Sequence, residues 1–151
     1  MENNLYLYNT IVQQQKNTHL AAMPQYTFDR GERLKSRKAI GLLFKEGQSF
    51  GQYPLRLIYM PMPARRSEYP VQFTVSVPKK KFPKAVHRNR IRRQIREAWR
   101  LHKHRLYRAL KNKEHQIAFL VLYTATEPLP YPEIEKAMKQ MIWRAEKKVG
   151  S

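Results

Sequence analysis

Apolar residues recur along this chain with two periods, and the points where one period gives way to the other mark its elements. Ser36 precedes a run in which Ile40, Leu43 and Phe44 share a face at i, i+3 and i+4, with Gly47 beyond it. That pattern predicts a capped helix through Glu46. YPLRLIYM at 53–60 alternates Leu55, Leu57 and Tyr59 against Arg56, Ile58 and Met60, which predicts a strand with at least one buried face. PMPARRSEYP at 61–70 reads as a hairpin loop returning through VQFTVSV at 71–77, where Val71, Phe73, Val75 and Val77 oppose Gln72, Thr74 and Ser76. One face of that strand belongs to the core and the other is open or polar-covered. A long helix is predicted from about Pro83 to Leu110, and QIAFLVLY at 116–123 is a continuous apolar run suited to a central strand covered on both sides. After TATEPLPYP turns the chain, Ile134, Met138, Met141, Ile142, Ala145 and Val149 form the stripe of a last helix, with Trp143 opposite. The order helix, strands, long helix, strand, helix predicts an α+β fold, one compact sandwich of a sheet with helices against it. Periodicity leaves strand order and crossover handedness open.

Residues 1–25 are polar, rich in Gln and Asn, and without sustained period, so they are expected to form a disordered tail ahead of a domain at 26–151. Met23 stands just before the first structured segment and is a candidate translation start, the alternative being a genuine extension. Composition adds the sign of the partner: 30 Lys and Arg against 11 Asp and Glu give a net charge of +19, which points to nucleic acid or an anionic membrane. With no apolar run of membrane-spanning length, no secretory pattern at the start and no Cys, a cytoplasmic protein without a membrane partner is expected. A cysteine nucleophile and a thiolate zinc site are excluded. The single Asp, Asp29, and ten scattered Glu do not form the convergent carboxylates that two-metal phosphodiester cleavage requires, so neither a metal site nor a catalytic residue is assigned.

Residues 79–113 hold half of the chain's Lys and Arg and a single acid, Glu97. On a helical wheel Ile91, Ile95, Ala98, Trp99, Leu106 and Ala109 fall in one narrow stripe, with His102 embedded in it. Roughly 110° away lie Asn89, Arg92, Arg93, Arg96, Arg100 and Lys103, a row of cations on one rod. Planar guanidinium groups can pair with phosphate oxygens in bidentate fashion, and a merely solvated face would interleave Glu, so the row is assigned to RNA phosphates.

RNRIRRQIREAWR at 88–100, with VSVPKK at 75–80 ahead of it, resembles the signature of the bacterial ribonuclease P protein component. LKSRKAIGLLFKEG at 34–47 is similar in place and pattern to that family's first helix, and the likeness spans about residues 30–146. One departure is Ile40, where the family often has an aromatic residue. The resemblance implies a mainly antiparallel sheet of about four strands with three helices and a left-handed βαβ crossover. It further implies a monomeric protein subunit of a ribonucleoprotein that trims the 5′ leaders of precursor tRNA, with the RNA subunit as catalyst and Mg²⁺ held mainly by RNA. By this likeness Lys79, Lys80, Arg88, Asn89, Arg90, Arg92, Arg93 and Arg96 contact the catalytic RNA or its surroundings. Phe44, Tyr53, Tyr59, Gln72, Thr74 and Ser76 are candidates for a cleft holding the single-stranded leader, since unpaired bases stack on rings while polar groups hold the backbone. The alternative is a structural RNA-binding protein of ribosomal type.

Overall fold

The computed structural model describes Asn9 and residues 26–150; the expected tail at 1–25, with Met23, lies outside the contiguous described stretch. A single turn of 3₁₀ helix, Arg30–Glu32, leads into α1, Arg37–Glu46. Ser36 caps α1 as its pattern predicts, its Oγ accepting the Ala39 amide at 3.2 Å. Gly47 closes it with a 2.8 Å bond from its amide to the Leu43 carbonyl. A Cβ at position 47 would meet that carbonyl oxygen at 2.5 Å and Ile58 at 2.9 Å, so only glycine lets the chain leave α1 this close to the sheet.

Strand β1, Gln48–Gln52, follows at once and pairs antiparallel with β2, Leu55–Pro61, through a turn at Tyr53 and Pro54. Strand β3, Val71–Ser76, comes next, followed by α2, Ala85–His102, α3, His104–Ala109, β4, Ile117–Tyr123, and α4, Tyr131–Val149. The sheet order is β1-β2-β4-β3, with β4 antiparallel to β2 and parallel to β3. Residues 26–150 therefore form a mixed four-stranded sheet with four α-helices, an α+β fold as expected.

Three expectations are corrected. Residues 61–70 are not a hairpin loop, because β2 and β3 are separated by β4. The loop instead runs past the start of β4, where the Gln116 side chain accepts the Arg66 amide at 2.9 Å and donates to the Tyr69 carbonyl at 2.7 Å. The strand β1 was not predicted, since QSFGQ buries only Phe50 and so carries no alternation to detect. The single long helix is two, interrupted at Lys103.

Each sheet face has its own cover. Leu43 of α1 packs with Leu34, Met62, Ala118 and Leu120 on one face. On the other, the predicted stripes of α2 and α4 come together: Ile91, Ile95, Ala98, Trp99, Ile134, Met138, Met141 and Ala145 are buried against Leu57, Phe73, Phe119 and Val121. Trp99 stacks on Phe73 with ring centres 4.4 Å apart, fixing the rotation of α2 about its axis. α2 packs over β3 and α4 over β1 and β2, so the two helices stand toward opposite edges of the sheet.

Candidate nucleic-acid interface

Because Trp99 and Ile95 point into the core, the residues about a quarter turn away face solvent. Asn89, Arg90, Arg93 and Arg96 are exposed there, and Arg92 is half-buried with a 3.2 Å bond from its guanidinium to Asn89 Oδ1. Asn89, Arg93, Arg96, Glu97 and Arg100 line one groove with Phe28; Phe28 and Arg96 also wall a second, with Arg33, Lys35 and Thr74. Partial burial, and then the nearby charges of Arg92 and Arg33, hold the Arg96 guanidinium below its usual pKa. Like charge is thus crowded along this face, and an anion in the groove would compensate it.

Not every residue of the predicted row is available. Lys103 is 2% exposed and ion-pairs with Glu32, itself fully buried, while donating to the Thr27 carbonyl. Tyr107 donates to the same carboxylate at 2.6 Å, and burial together with that bond pushes its phenol far up. Lys103 is therefore a structural residue, not an RNA contact: helical periodicity placed it on the row, but its partner comes from a segment 71 residues earlier. Arg100 is held by both carboxylate oxygens of Glu97, at 2.6 and 3.0 Å, and keeps Glu97 below the ordinary carboxylate range. Arg88 turns back on the preceding loop, donating to the carbonyls of Phe82 and Pro83 at 2.8 and 2.7 Å. It fixes the loop that carries the exposed Lys79 and Lys80.

The candidate cleft residues divide in the same way. Phe44 and Tyr53 are 57% and 70% exposed. Thr74 and Ser76 are half-buried on the sheet face that α1 only partly covers. Ser76 registers with Leu122 and Leu122 with Arg56, so a strip crosses that face at one level, ending beside the Lys79 and Lys80 loop. Tyr59 is not part of it: its ring lies on the opposite face against Phe50 and Phe119, and its hydroxyl donates to Gln48 at 2.9 Å. Gln72 is buried and donates to the Gly31 carbonyl at 3.1 Å, so its polar character serves the N-terminal segment rather than a ligand.

Sequence reasoning missed Phe28, Arg33 and Glu32. The Arg33–Phe73 bridge and the 3.0 Å bond from the Leu34 amide to the Phe73 carbonyl lay residues 33–34 along the free edge of β3, which carries Phe28 and Arg33 to the basic groove. A capping box, in which Glu32 accepts the Asp29 amide at 2.7 Å, was the available signal. Arg56 was legible as a cation on the strand face opposite Leu55, Leu57 and Tyr59 but was not assigned to the cleft. Among the described residues no three His, Asp or Glu gather as metal ligands, and no helix is long and apolar enough to cross a membrane.

Comparison with known proteins gives concordant results. The family model described as Ribonuclease P matches residues 28–146. The ribonuclease P protein component of Porphyromonas gingivalis is 38% identical over 128 residues, covering 83% of this chain and 90% of that protein. Among solved structures, the RNase P protein of Staphylococcus aureus is similar with a TM-score of 0.58 and 20% identity, covering 76% of this chain and 94% of that one. The RNase P protein from Thermotoga maritima gives a TM-score of 0.58 at 20% identity, with 75% and 96% covered. At such identities the structural likeness speaks for the fold.

Proposed function

Since this chain belongs to the ribonuclease P protein family, we propose that its cationic α2 face docks on the ribonuclease P RNA while the strip beside α1 holds the 5′ leader of precursor tRNA. The chain is the protein component of a tRNA-processing ribonucleoprotein endoribonuclease. The observation that carries the docking assignment is the crowding of Arg92, Arg93, Arg96 and Arg33 along two adjoining grooves, where partial burial and then the charges of Arg92 and Arg33 hold Arg96 below its usual pKa. Polyanion phosphates relieve such crowding and release counterions on binding. A wide surface dominated by one sign also disfavours self-association, which supports a single protein copy.

Among the described residues no three His, Asp or Glu gather as metal ligands; in this proposal the RNA holds the Mg²⁺ and supplies the reacting centre. The protein's own contribution is to bind and orient. Purified protein with Mg²⁺ is expected to show no specific cleavage of precursor tRNA; adding ribonuclease P RNA is expected to restore it. Specific cleavage by RNA-free protein that survives nuclease treatment would overturn the division of labour.

The leader assignment is tested with Tyr53→Ala. The ring is exposed, so the fold should be unaffected, and losing one stacked base should weaken precursor tRNA binding to the holoenzyme by about 1–3 kcal/mol. Mature tRNA, lacking the leader, should bind as before. An equal loss for both substrates removes Tyr53 from the cleft.

A further inference from the structure

The outer face of α4 carries a feature that the α2 groove and the leader strip do not use. Trp143 is 45% exposed although the ammonium of Lys147 already lies 3.6 Å from its ring centre. On the helical wheel Lys136, Lys139, Gln140 and Lys147 all fall within about 60° of Trp143, and all are exposed. The core residues Ile134, Met141 and Ala145 lie on the far side. Two flanking acids are turned elsewhere: Glu135 accepts from Tyr131 at 3.0 Å and lies 3.2 Å from His102, and Glu146 pairs with Arg105. Lys139 comes only within 4.0 Å of Glu135.

We propose that Trp143 with Lys136, Lys139 and Lys147 forms a second RNA-binding platform, one that takes an unpaired segment by stacking a base on the indole and pairing lysines with the flanking phosphates. A large exposed ring ringed by cations is the arrangement that sequence-tolerant single-strand binding uses, because every base has a π-face and every linkage a charge. A duplex cannot use it, since its bases are already stacked. A second copy of this chain fits poorly, as it would set lysines against lysines. An anionic membrane surface fits poorly too, because the apolar stripe of α4 is spent in the core and only one ring is left to insert. Since α4 lies over β1 and β2 and α2 over β3, the platform addresses a different stretch of RNA from the arginine groove. It also binds independently of whether the leader occupies the strip beside α1.

The chain's two tryptophans make the test direct. Trp99 is fully buried, so contact quenching by an added ligand reports on Trp143. An oligouridylate eight nucleotides long, titrated into the full chain, is expected to quench tryptophan emission, and Trp143→Phe should remove most of that quenching. Trp143→Ala should weaken oligonucleotide binding, followed by anisotropy, by about 5- to 100-fold. The double variant Arg92→Ala, Arg93→Ala should keep the quenching, and a blunt RNA duplex should bind without it. Bound oligonucleotide with neither quenching nor a loss of affinity in Trp143→Ala would overturn the platform. So would quenching by phosphatidylglycerol vesicles but not by RNA, or quenching that follows protein concentration alone.

Discussion

Glu32→Ala is expected to destabilise the protein by about 3–5 kcal/mol, more than any surface change discussed above, because it strands a buried cation. Lys103, 2% exposed, would keep the Thr27 carbonyl and the faces of the Phe28 and Tyr107 rings but no counter-charge, and the Tyr107 hydroxyl would lose its acceptor. Replacing both ions together, as Glu32→Leu with Lys103→Met, should cost far less, since the desolvation of the two charges disappears with their attraction. Denaturant midpoints of the three proteins check this. A loss below about 1 kcal/mol for Glu32→Ala would show that the pair behaves as an exposed one. RNA affinity should fall alongside stability in the single variant, because the segment that Glu32 anchors brings Phe28 and Arg33 to the groove.

Replacing Arg92, Arg93 and Arg96 together by Ala should act on binding and leave the fold intact. Each lost phosphate contact removes roughly 0.7–0.9 from the logarithmic salt slope, so the triple variant should bind ribonuclease P RNA with a slope reduced in magnitude by about 2 to 3. Thermal stability should be unchanged or slightly higher, since the folded state already disfavours the charged form of Arg96. Melts showing a large loss of stability with an unchanged slope would mean that the faces of α2 have been assigned wrongly.

The sequence carried the helices, the central strand and the arginine row because each is a local pattern. The cap at Ser36, the stop at Gly47 and the buried stripe from Ile91 to Leu106 all follow from spacing, and the structure has them where spacing puts them. The family resemblance, resting on residues 75–100 and 34–47, is matched by a family model over 28–146. What periodicity cannot supply is a partner. Alternation gave the two faces of β2 and β3 but not their neighbours, so an antiparallel hairpin was expected where β4 intervenes. Tyr59 and Gln72 were assigned to a ligand because an aromatic and an amide suit one; their actual partners, Gln48 and Gly31, lie on other elements. Lys103 failed for the same reason, its carboxylate being remote in sequence.

The parallel pairing of β3 with β4 places the basic rod inside a crossover, and this ties the chain's folding to the ionic strength around it. Phe73 and Phe119 register across 45 intervening residues, which hold half of the Lys and Arg and cross the sheet largely as helix. Such non-local closure is slow, and here it proceeds against the mutual repulsion of the cations being brought together. Added salt screens that repulsion and favours the closed fold, whereas the same salt strips RNA from the finished surface. The free protein and its complex therefore respond to salt in opposite senses. At low ionic strength bound RNA takes over the counterion's part and stabilises the fold, since whatever binds only the native form draws the chain toward it by mass action.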